Sequence, residues 1–464
     1  MSATHTRIDS VGIVLAAGHG SRMRSKIPKP LHKAAGKELI GYSVDLLAEC
    51  GMQTIVVVAS PGNIDAISAA LGDRVNYAVQ PTPEGTAEAV SRGLQALDSV
   101  PGTVTVMAAD TPLVRNKSMR MLIDEHCSRP GCRMSILTAP DAFGPDLGHI
   151  KRADASDSNT VGPISAIVEA RDRHANSVGP AEVNTGVYCF DGPWLTQHIN
   201  EVPKSPSGEY YLTALASMAA NNGQEAVAAP FACADEAMGV NDRQQLSAVE
   251  AVLRDRVNCR WMLDGVTIVD PATTYIDAAV TIGPDTVIQP NTMLGGRTTV
   301  GADCEIGPNS VVRDSEIGDR CHIMASVIEG SLVHEDVGIG PYSHLRPQAV
   351  IESGVHLGNY VEVKNSRVGS GTAAGHFCYL GDADIGADVN IGAGTITCNY
   401  DGVDKHRTVV GDRAFIGSDT MLVAPVSVGP QGLTGAGSVV TKDVPPGGRV
   451  VGVPARLLPS NDEE

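Results

Sequence analysis

The sequence predicts two folds in series, an open α/β sheet domain and then a parallel β-helix. Three observations carry the prediction: an aliphatic residue recurring every six positions in the C-terminal half, aliphatic runs alternating with amphipathic stretches before residue 240, and an amphipathic segment joining the two. The six-residue period runs through Ile282, Ile288, Leu294, Val300, Ile306 and Val312. After single-residue shifts it resumes at Ile339, Leu345, Ile351, Leu357 and Val363, then at Val410, Ile416, Leu422, Val428, Thr434 and Val440. Neither the period of about 3.6 of a helix nor that of about 2 of a strand produces six. A coil made of three short strands and three corners does, with each aliphatic residue pointing into a stacked core. Gly follows many of these anchors, as at Gly283, Gly301, Gly358, Gly392 and Gly417, and is expected to permit tight turning at a corner. The loss of phase between Thr397 and Thr408 predicts a loop ejected from the prism, and such loops often carry function.

In the first half, residues 11–16, 54–59, 103–109 and 133–138 read as strands and 38–50 and 86–97 as helices. Near-continuous apolar strands imply burial on both faces, so a parallel sheet covered by helices is expected. The first strand leads into Leu15-Ala16-Ala17-Gly18-His19-Gly20-Ser21-Arg22-Met23, followed by Lys29. Two glycines let backbone N–H groups approach an anion, and Arg22 and Lys29 supply countercharge, although a Gly turn by itself is equally a structural feature. Asp110 ends the third strand. Ligands of open parallel sheets gather at strand carboxyl ends, so Asp110 suits a hard cation beside a phosphate; it also suits a simple turn. Asn241 precedes Leu246, Val249, Leu253 and Val257, an apolar series at helical spacing. Locally it reads first as the N-cap of that helix, and it is also free to bind a ligand.

Composition narrows the classes. A chain of 464 residues exceeds one core, and 50 Gly, 28 Pro and 4% aromatics fit a solenoid with many corners. Against 53 Asp and Glu stand 35 Lys and Arg, a formal charge of −18, which excludes general affinity for nucleic acid or an anionic membrane. The start is polar, no apolar run approaches the roughly 18 residues of a membrane span, and a cytoplasmic protein is expected. Ten scattered Cys without paired C-x-x-C units read as free thiols, and the end, Asp462 to Glu464, as a solvated tail.

Taken together, these motifs resemble, in order and over nearly the whole chain, the bacterial bifunctional N-acetylglucosamine-1-phosphate uridylyltransferases and glucosamine-1-phosphate acetyltransferases. The first half supplies Leu15-Ala16-Ala17-Gly18 with Arg22 and Lys29, Gln80 with Gly85-Thr86, Asp110, Glu169, Asn184-Thr185-Gly186 and Gly239-Val240-Asn241. The second supplies Leu345-Arg346-Pro347, Val361-Glu362-Val363-Lys364, Ala374-Gly375-His376, Tyr379-Leu380-Gly381-Asp382, Asn390-Ile391-Gly392-Ala393-Gly394 and Cys398-Asn399-Tyr400.

The resemblance implies a Rossmann-like nucleotidyltransferase domain over residues 1–240, a connecting helix over 241–263 and a left-handed parallel β-helix over 264–464. It implies uridylyl transfer from UTP to N-acetylglucosamine-1-phosphate, with Mg²⁺ held by Asp110 and Asn241 and phosphate oxygens faced by Lys29 and Arg22. Gln80, Gly85 and Thr86 would read the uracil, and Gly148, Glu169 and Asn184 the sugar. The solenoid would perform the preceding acetyl transfer from acetyl-CoA to glucosamine-1-phosphate. There His376 is the expected base, because an ammonium cannot attack a thioester until it loses a proton. Arg346 and Lys364 would clamp the sugar phosphate, with Glu362 orienting the imidazole. Tyr379, Asn390, Asn399 and Tyr400 would position the sugar, and Ala393, Ser418 and Ala436 lie nearer the acetyl group or CoA. By the same resemblance the β-helix trimerises, each acetyltransferase site forming between subunits, and the product feeds cell-wall synthesis. Three departures stand out. Ala108-Ala109 replaces a small residue and Gly ahead of Asp110, with the added methyl at 109 expected near the ribose or sugar. Leu147-Gly148-His149 replaces Tyr-Gly-Arg. The C-terminus lacks a basic tail, leaving Lys442, Arg449 and Arg456 for CoA phosphates. Retention of Asp110, Asn241 and His376 together argues against a non-catalytic scaffold and leaves another sugar phosphate as the competing substrate.

Overall fold

The computed structural model describes residues 10–140, 147–153, 158, 160–172, 182–231 and 233–458; the polar start and the acidic end lie outside these. The chain divides into two compact units, Met1–Leu253 and Arg254–Glu464.

In the first unit, β1 (Ser10–Leu15) is followed by a hairpin of β2 (Lys33–Ala34) and β3 (Lys37–Glu38), then α1 (Leu39–Glu49), β4 (Thr54–Ala59), α2 (Ile64–Leu71), β5 (Asn76–Val79), α3 (Thr86–Gln95), β6 (Thr103–Ala108) and α4 (Asn116–Ser128). The second half of the unit adds β7 (Cys132–Pro140), β8 (His149–Arg152), β9 (Gly162–Val168), β10 (Glu182–Asp191), α5 (Gly192–His198), α6 (Ala214–Asn221) and β11 (Glu225–Pro230). One nine-stranded sheet results, in the order β5-β4-β1-β6-β10-β7-β11-β9-β8. Its β5-β4-β1-β6 portion is parallel, and β10 runs antiparallel between β6 and β7.

Alternation along each strand feeds two cores. Ile13, Val56, Val58, Val104 and Val106 pack with Ala87 and Val90 of α3, whereas Val14, Val57 and Met107 pack with Val44 and Leu47 of α1 and Met119 and Leu122 of α4. Both sheet faces are therefore covered, which is why these strands read as apolar throughout.

Helix α7 (Arg243–Leu263) spans the division between the units. Leu246, Val249, Val252 and Leu253 join Met23, Leu39 and Leu113, while Val257 and Trp261 pack on the solenoid core.

The second unit is the left-handed parallel β-helix. Strands of two to four residues stack into three sheets of twelve, ten and nine strands, here called faces one, two and three. Face one carries Ile288, Ile306, Leu357 and Ile416, face two Leu294, Val312, Leu345 and Val363, and face three Ile282, Val300, Ile351 and Val410. All belong to one continuous buried cluster.

The corners correct one expectation. Gly283, Gly301, Gly358, Gly392 and Gly417 do not have positive φ; the left-handed residues are mostly two positions further on, as at Asp285 (φ 59), Asp303 (φ 57), Tyr360 (φ 60) and Asp419 (φ 56). Gly307 (φ 105) and Gly340 (φ 107), which also follow anchors, do turn as expected, whereas these five serve stacking instead. A Cβ on Gly358 would lie 1.9 Å from the Gly375 carbonyl oxygen, and one on Gly392 would lie 2.5 Å from the Ser418 nitrogen, so the next coil leaves no room for a side chain. Buried hydroxyls satisfy backbone donors between coils: Val361 N–H donates to Ser343 Oγ at 3.1 Å and Ala383 N–H to Ser366 Oγ at 2.8 Å. All ten cysteines are free.

Candidate active sites

In the first unit, three distant segments converge at the carboxyl end of the sheet. Register sets Leu15 beside Ala108, and Ala109 N–H donates to the Leu15 carbonyl at 3.0 Å, fixing Asp110 next to the glycine loop. Val240 N–H donates to the Asp110 carbonyl at 2.9 Å, which brings Asn241 to the same place. The Lys29 ammonium joins them, forming an ion pair with Asp110 Oδ2 and donating to Asn241 Oδ1 at 3.3 Å. Gly20 (φ 58) makes this possible, since a Cβ there would sit 2.8 Å from Lys29 Cβ.

Asn241 is not the cap of α7. Asp242 Oδ1 accepts the Gln245 N–H at 2.8 Å and does that work, leaving the Asn241 amide for Lys29. A carboxylate and an amide oxygen that already hold one cation are a fitting donor pair for a hard divalent ion, which keeps water and phosphate as its other ligands. Among the described residues no cluster of three or more His, Cys, Asp or Glu competes for that role.

Beside these residues lies a cavity of about 530 Å³ lined by Leu15, Ala17, Gly18, Gln80, Gly85, Thr86, Gly148, Glu169 and Asn184, all predicted. Ala16 lies buried beneath it, its N–H on the Val58 carbonyl and its own carbonyl accepting from Asn63. Arg22 is exposed on the short turn Ser21–Met23 and does not line the cavity.

On one side Gln80 Nε2 donates to the Gly85 carbonyl at 3.0 Å, and Thr86 Oγ1 accepts the Leu212 N–H at 2.9 Å. Gly85 (φ 119) is obligatory: a Cβ would lie 2.4 Å from the Tyr210 carbonyl oxygen. On the other side a register break in β10 between Asn184 and Tyr188 turns the Asn184 segment to the cavity, with Asn184 Nδ2 on Tyr188 Oη at 2.9 Å and Glu169 Oε1 accepting from Thr213 at 2.7 Å.

The Ala109 methyl does not reach this space. It is buried in the core on the α1 and α4 face, and Ala108 lines the cavity in its place. His149 is buried at the start of β8 and does not stand in for a charge in the cavity. Sequence reasoning missed Pro83, Tyr188, Glu209 and Tyr211, which also line it. The adjacent Tyr210-Tyr211 pair in so aromatic-poor a chain was the available signal.

In the second unit, register orders the predicted residues into columns. Ala373 pairs with Asn390, Asn390 with Phe415 and Phe415 with Leu433. Three residues on, His376, Ala393, Ser418 and Ala436 therefore occupy one place in four successive coils, at the edge where face one ends. Backbone bonds hold the column: Asp419 N–H to the Ala393 carbonyl at 2.6 Å and Gly437 N–H to the Ser418 carbonyl at 2.8 Å. His376 and Phe377 are exposed there.

On the adjoining face two, Glu362 pairs in register with Tyr379, and Lys364 with Gly381. Arg346 Nη1 donates to Glu362 Oε1 at 2.8 Å, and this carboxylate holds the guanidinium above its ordinary range. Glu362 is thus paired with Arg346. The ejected loop supplies a residue that was not predicted, Lys405, whose ammonium beside Lys364 is the main cause holding the latter below its ordinary range. Two juxtaposed ammonium groups form an anion-attracting spot.

Asn399 is buried and donates to Asp382 and, at 3.4 Å, to Tyr379 Oη. Tyr400 is exposed, its hydroxyl donating to the Gly402 carbonyl at 2.6 Å. Burial acts to raise Asp382, but bonds from Asn365 and Asn399 and the nearby Lys405 and Lys364 bring it below the ordinary carboxylate range. Lys442, Arg449 and Arg456 are all exposed on the last coils.

A carboxylate and an amide oxygen sharing an ammonium at the carboxyl end of a parallel sheet, beside a cavity, and a hexapeptide coil with an exposed imidazole at one corner fit a two-domain transferase. Family comparison agrees on both parts: a MobA-like NTP transferase domain matches residues 12–176 and the bacterial transferase hexapeptide (six repeats) matches residues 279–314. The bifunctional protein GlmU of Pelobacter propionicus is 42% identical over 440 residues, covering 94% of either chain. Those of Heliobacterium modesticaldum and Geobacillus sp. strain WCH70 are 41% and 42% identical, covering 95% and 93% of this chain and 94% and 93% of theirs. The chain belongs to the bifunctional GlmU family. It is accordingly a uridylyltransferase and acetyltransferase that uses a nucleotide, sugar phosphates, acetyl-CoA and a divalent metal. Among the described residues no helix is long and apolar enough to cross a membrane.

Proposed function

We propose that the chain makes UDP-N-acetylglucosamine in the cytoplasm, acetylating glucosamine-1-phosphate in the second unit and then transferring uridylyl from UTP in the first. The convergence of Lys29, Asp110 and Asn241 carries the uridylyl assignment. Asp110 and Asn241 would hold Mg²⁺, which would supply neutralisation of phosphate charge. Lys29 and Arg22 face the triphosphate, Gln80, Gly85 and Thr86 read uracil, and Gly148, Glu169 and Asn184 seat the sugar so that its phosphate oxygen lines up with the α-phosphate. Alignment and charge neutralisation, rather than covalent chemistry by the protein, lower this barrier.

In the second unit Arg346 and Lys364 clamp the sugar phosphate, joined by Lys405. Tyr379, Asn390, Asn399 and Tyr400 orient the sugar, and His376 removes a proton from its ammonium. The freed amine attacks the thioester carbonyl, and the CoA thiolate leaves and is protonated. The thioester runs along the column of Ala393, Ser418 and Ala436. An exposed imidazole on an open face needs further walls, which supports a homotrimer through the β-helix. The deciding assay is pyrophosphate release from UTP with Mg²⁺ and a panel of sugar phosphates. N-acetylglucosamine-1-phosphate should give the fastest release, and no release with it overturns the first-unit assignment.

A further inference from the structure

We infer that Lys29 competes with the divalent cation for Asp110 and Asn241, so that its ammonium is an internal counter-ion that must leave before the cation is fully ligated. The inference rests on the reading that these two residues hold the cation. One ammonium contacts both oxygens. Asn241 has a single amide oxygen to give, and octahedral ligation of a small divalent ion needs it at about 2.0–2.1 Å with an Asp110 oxygen beside it, too close for the ammonium to remain on both residues.

The structure also gives the group room to leave. The stem of Lys29 is fixed where it passes over Gly20, and its first turn, Lys29–Leu31, is anchored by the His32 N–H on the Lys29 carbonyl at 3.2 Å. The four-carbon chain beyond that point swings without moving the backbone. Its natural destination is the phosphate-facing side of the same glycine loop. Nucleotide and cation then assist one another: the triphosphate draws the ammonium off the two oxygens, and the cation takes its place. By linkage the help is reciprocal.

The test is the affinity of the full-length protein for Mn²⁺ alone, read by electron paramagnetic resonance without nucleotide and therefore without turnover. Lys29→Ala should tighten Mn²⁺ binding by about tenfold, the effect of removing one partly buried competing charge. Arg22→Ala removes a charge from the same loop and should change it by less than about twofold, since an exposed charge is largely screened. Unchanged or weaker binding in Lys29→Ala overturns the competition, as does equal tightening in Arg22→Ala, which would mean that overall loop charge is responsible. An unchanged far-ultraviolet spectrum and an unchanged unfolding midpoint read by Trp194 in a Trp261→Phe background verify that the first unit of each variant is folded. In the Lys29→Ala background, Asp110→Asn should abolish the tightened binding. If it does not, the cation lies elsewhere, and the metal assignment itself fails together with the inference.

Discussion

The two units build sites by opposite routes. In the sheet unit, residues as far apart as Lys29, Asp110 and Asn241 are gathered by strand order and two backbone bonds, and the cavity beside them is largely pre-paired: Gln80, Thr86, Glu169 and Asn184 all hold internal hydrogen bonds. In the solenoid the site is written along columns by register, and its central imidazole is exposed. The contrast teaches that a layered sheet converts long-range topology into enclosure, whereas a coil converts sequence period into alignment and leaves enclosure to whatever covers its face.

The sharpest break of this comparison is functional. His376→Ala should lower acetyl transfer by roughly 10²–10⁴-fold and leave uridylyl transfer intact, while Asp110→Ala should do the reverse by a comparable factor. Both rates measured on each purified variant would show it, and loss of both in a folded protein would contradict independent sites.

Next in size is the solenoid's dependence on stacking. Leu357→Ala should cost about 2–5 kcal/mol, and Gly358→Ala should destabilise as well, because its Cβ meets backbone in the next coil. The coil disturbed is the one that carries Gly375 and His376, so acetyl transfer should fall with it. Chemical denaturation followed by Trp261 fluorescence in a Trp194→Phe background reads the second unit.

A third test belongs to the sheet unit. Burial is the main cause that lowers His126 from 6.5 to about 4, with Arg133 adding to it and Asp191 opposing. The unfolded chain then binds a proton that the folded chain refuses between those values, so stability is full above about 6.5 and falls as pH drops towards 4, by roughly 3 kcal/mol from this group. Unfolding followed by Trp194 in a Trp261→Phe background should show the slope, and His126→Gln should flatten it. The smallest effect is expected at the exposed Arg320–Asp336 pair: Asp336→Asn should leave the unfolding midpoint of the solenoid unchanged within error, since screened surface pairs contribute little.

Legibility in the sequence followed the same divide. The parallel strands β1, β4 and β6 were readable because both of their faces are buried. Strands β8 to β11 were not: β8 and β9 are partly exposed at the sheet edge, and β10 and β11, although buried, pair with irregular register. Lys405 escaped notice because a basic residue in a loop carries no signal until the loop folds back beside Lys364. Gly307 and Gly340 turn left-handed as expected, but Gly283, Gly301, Gly358, Gly392 and Gly417 were found for the wrong reason: the sequence shows where a side chain is missing but not which neighbour excludes it.

What the sequence by itself determined is what depends on period and short-range pattern: the three-sided coil, the buried parallel strands and the helix joining them. Those properties are local, so the chain states them wherever they occur. The tertiary structure alone decided which oxygens share the Lys29 ammonium, that Asp242 rather than Asn241 caps α7, that the Ala109 methyl faces the core and that Glu362 pairs with Arg346. Each of these is a choice among partners distant along the chain, and such a choice is fixed only when packing brings the competitors within reach of one another.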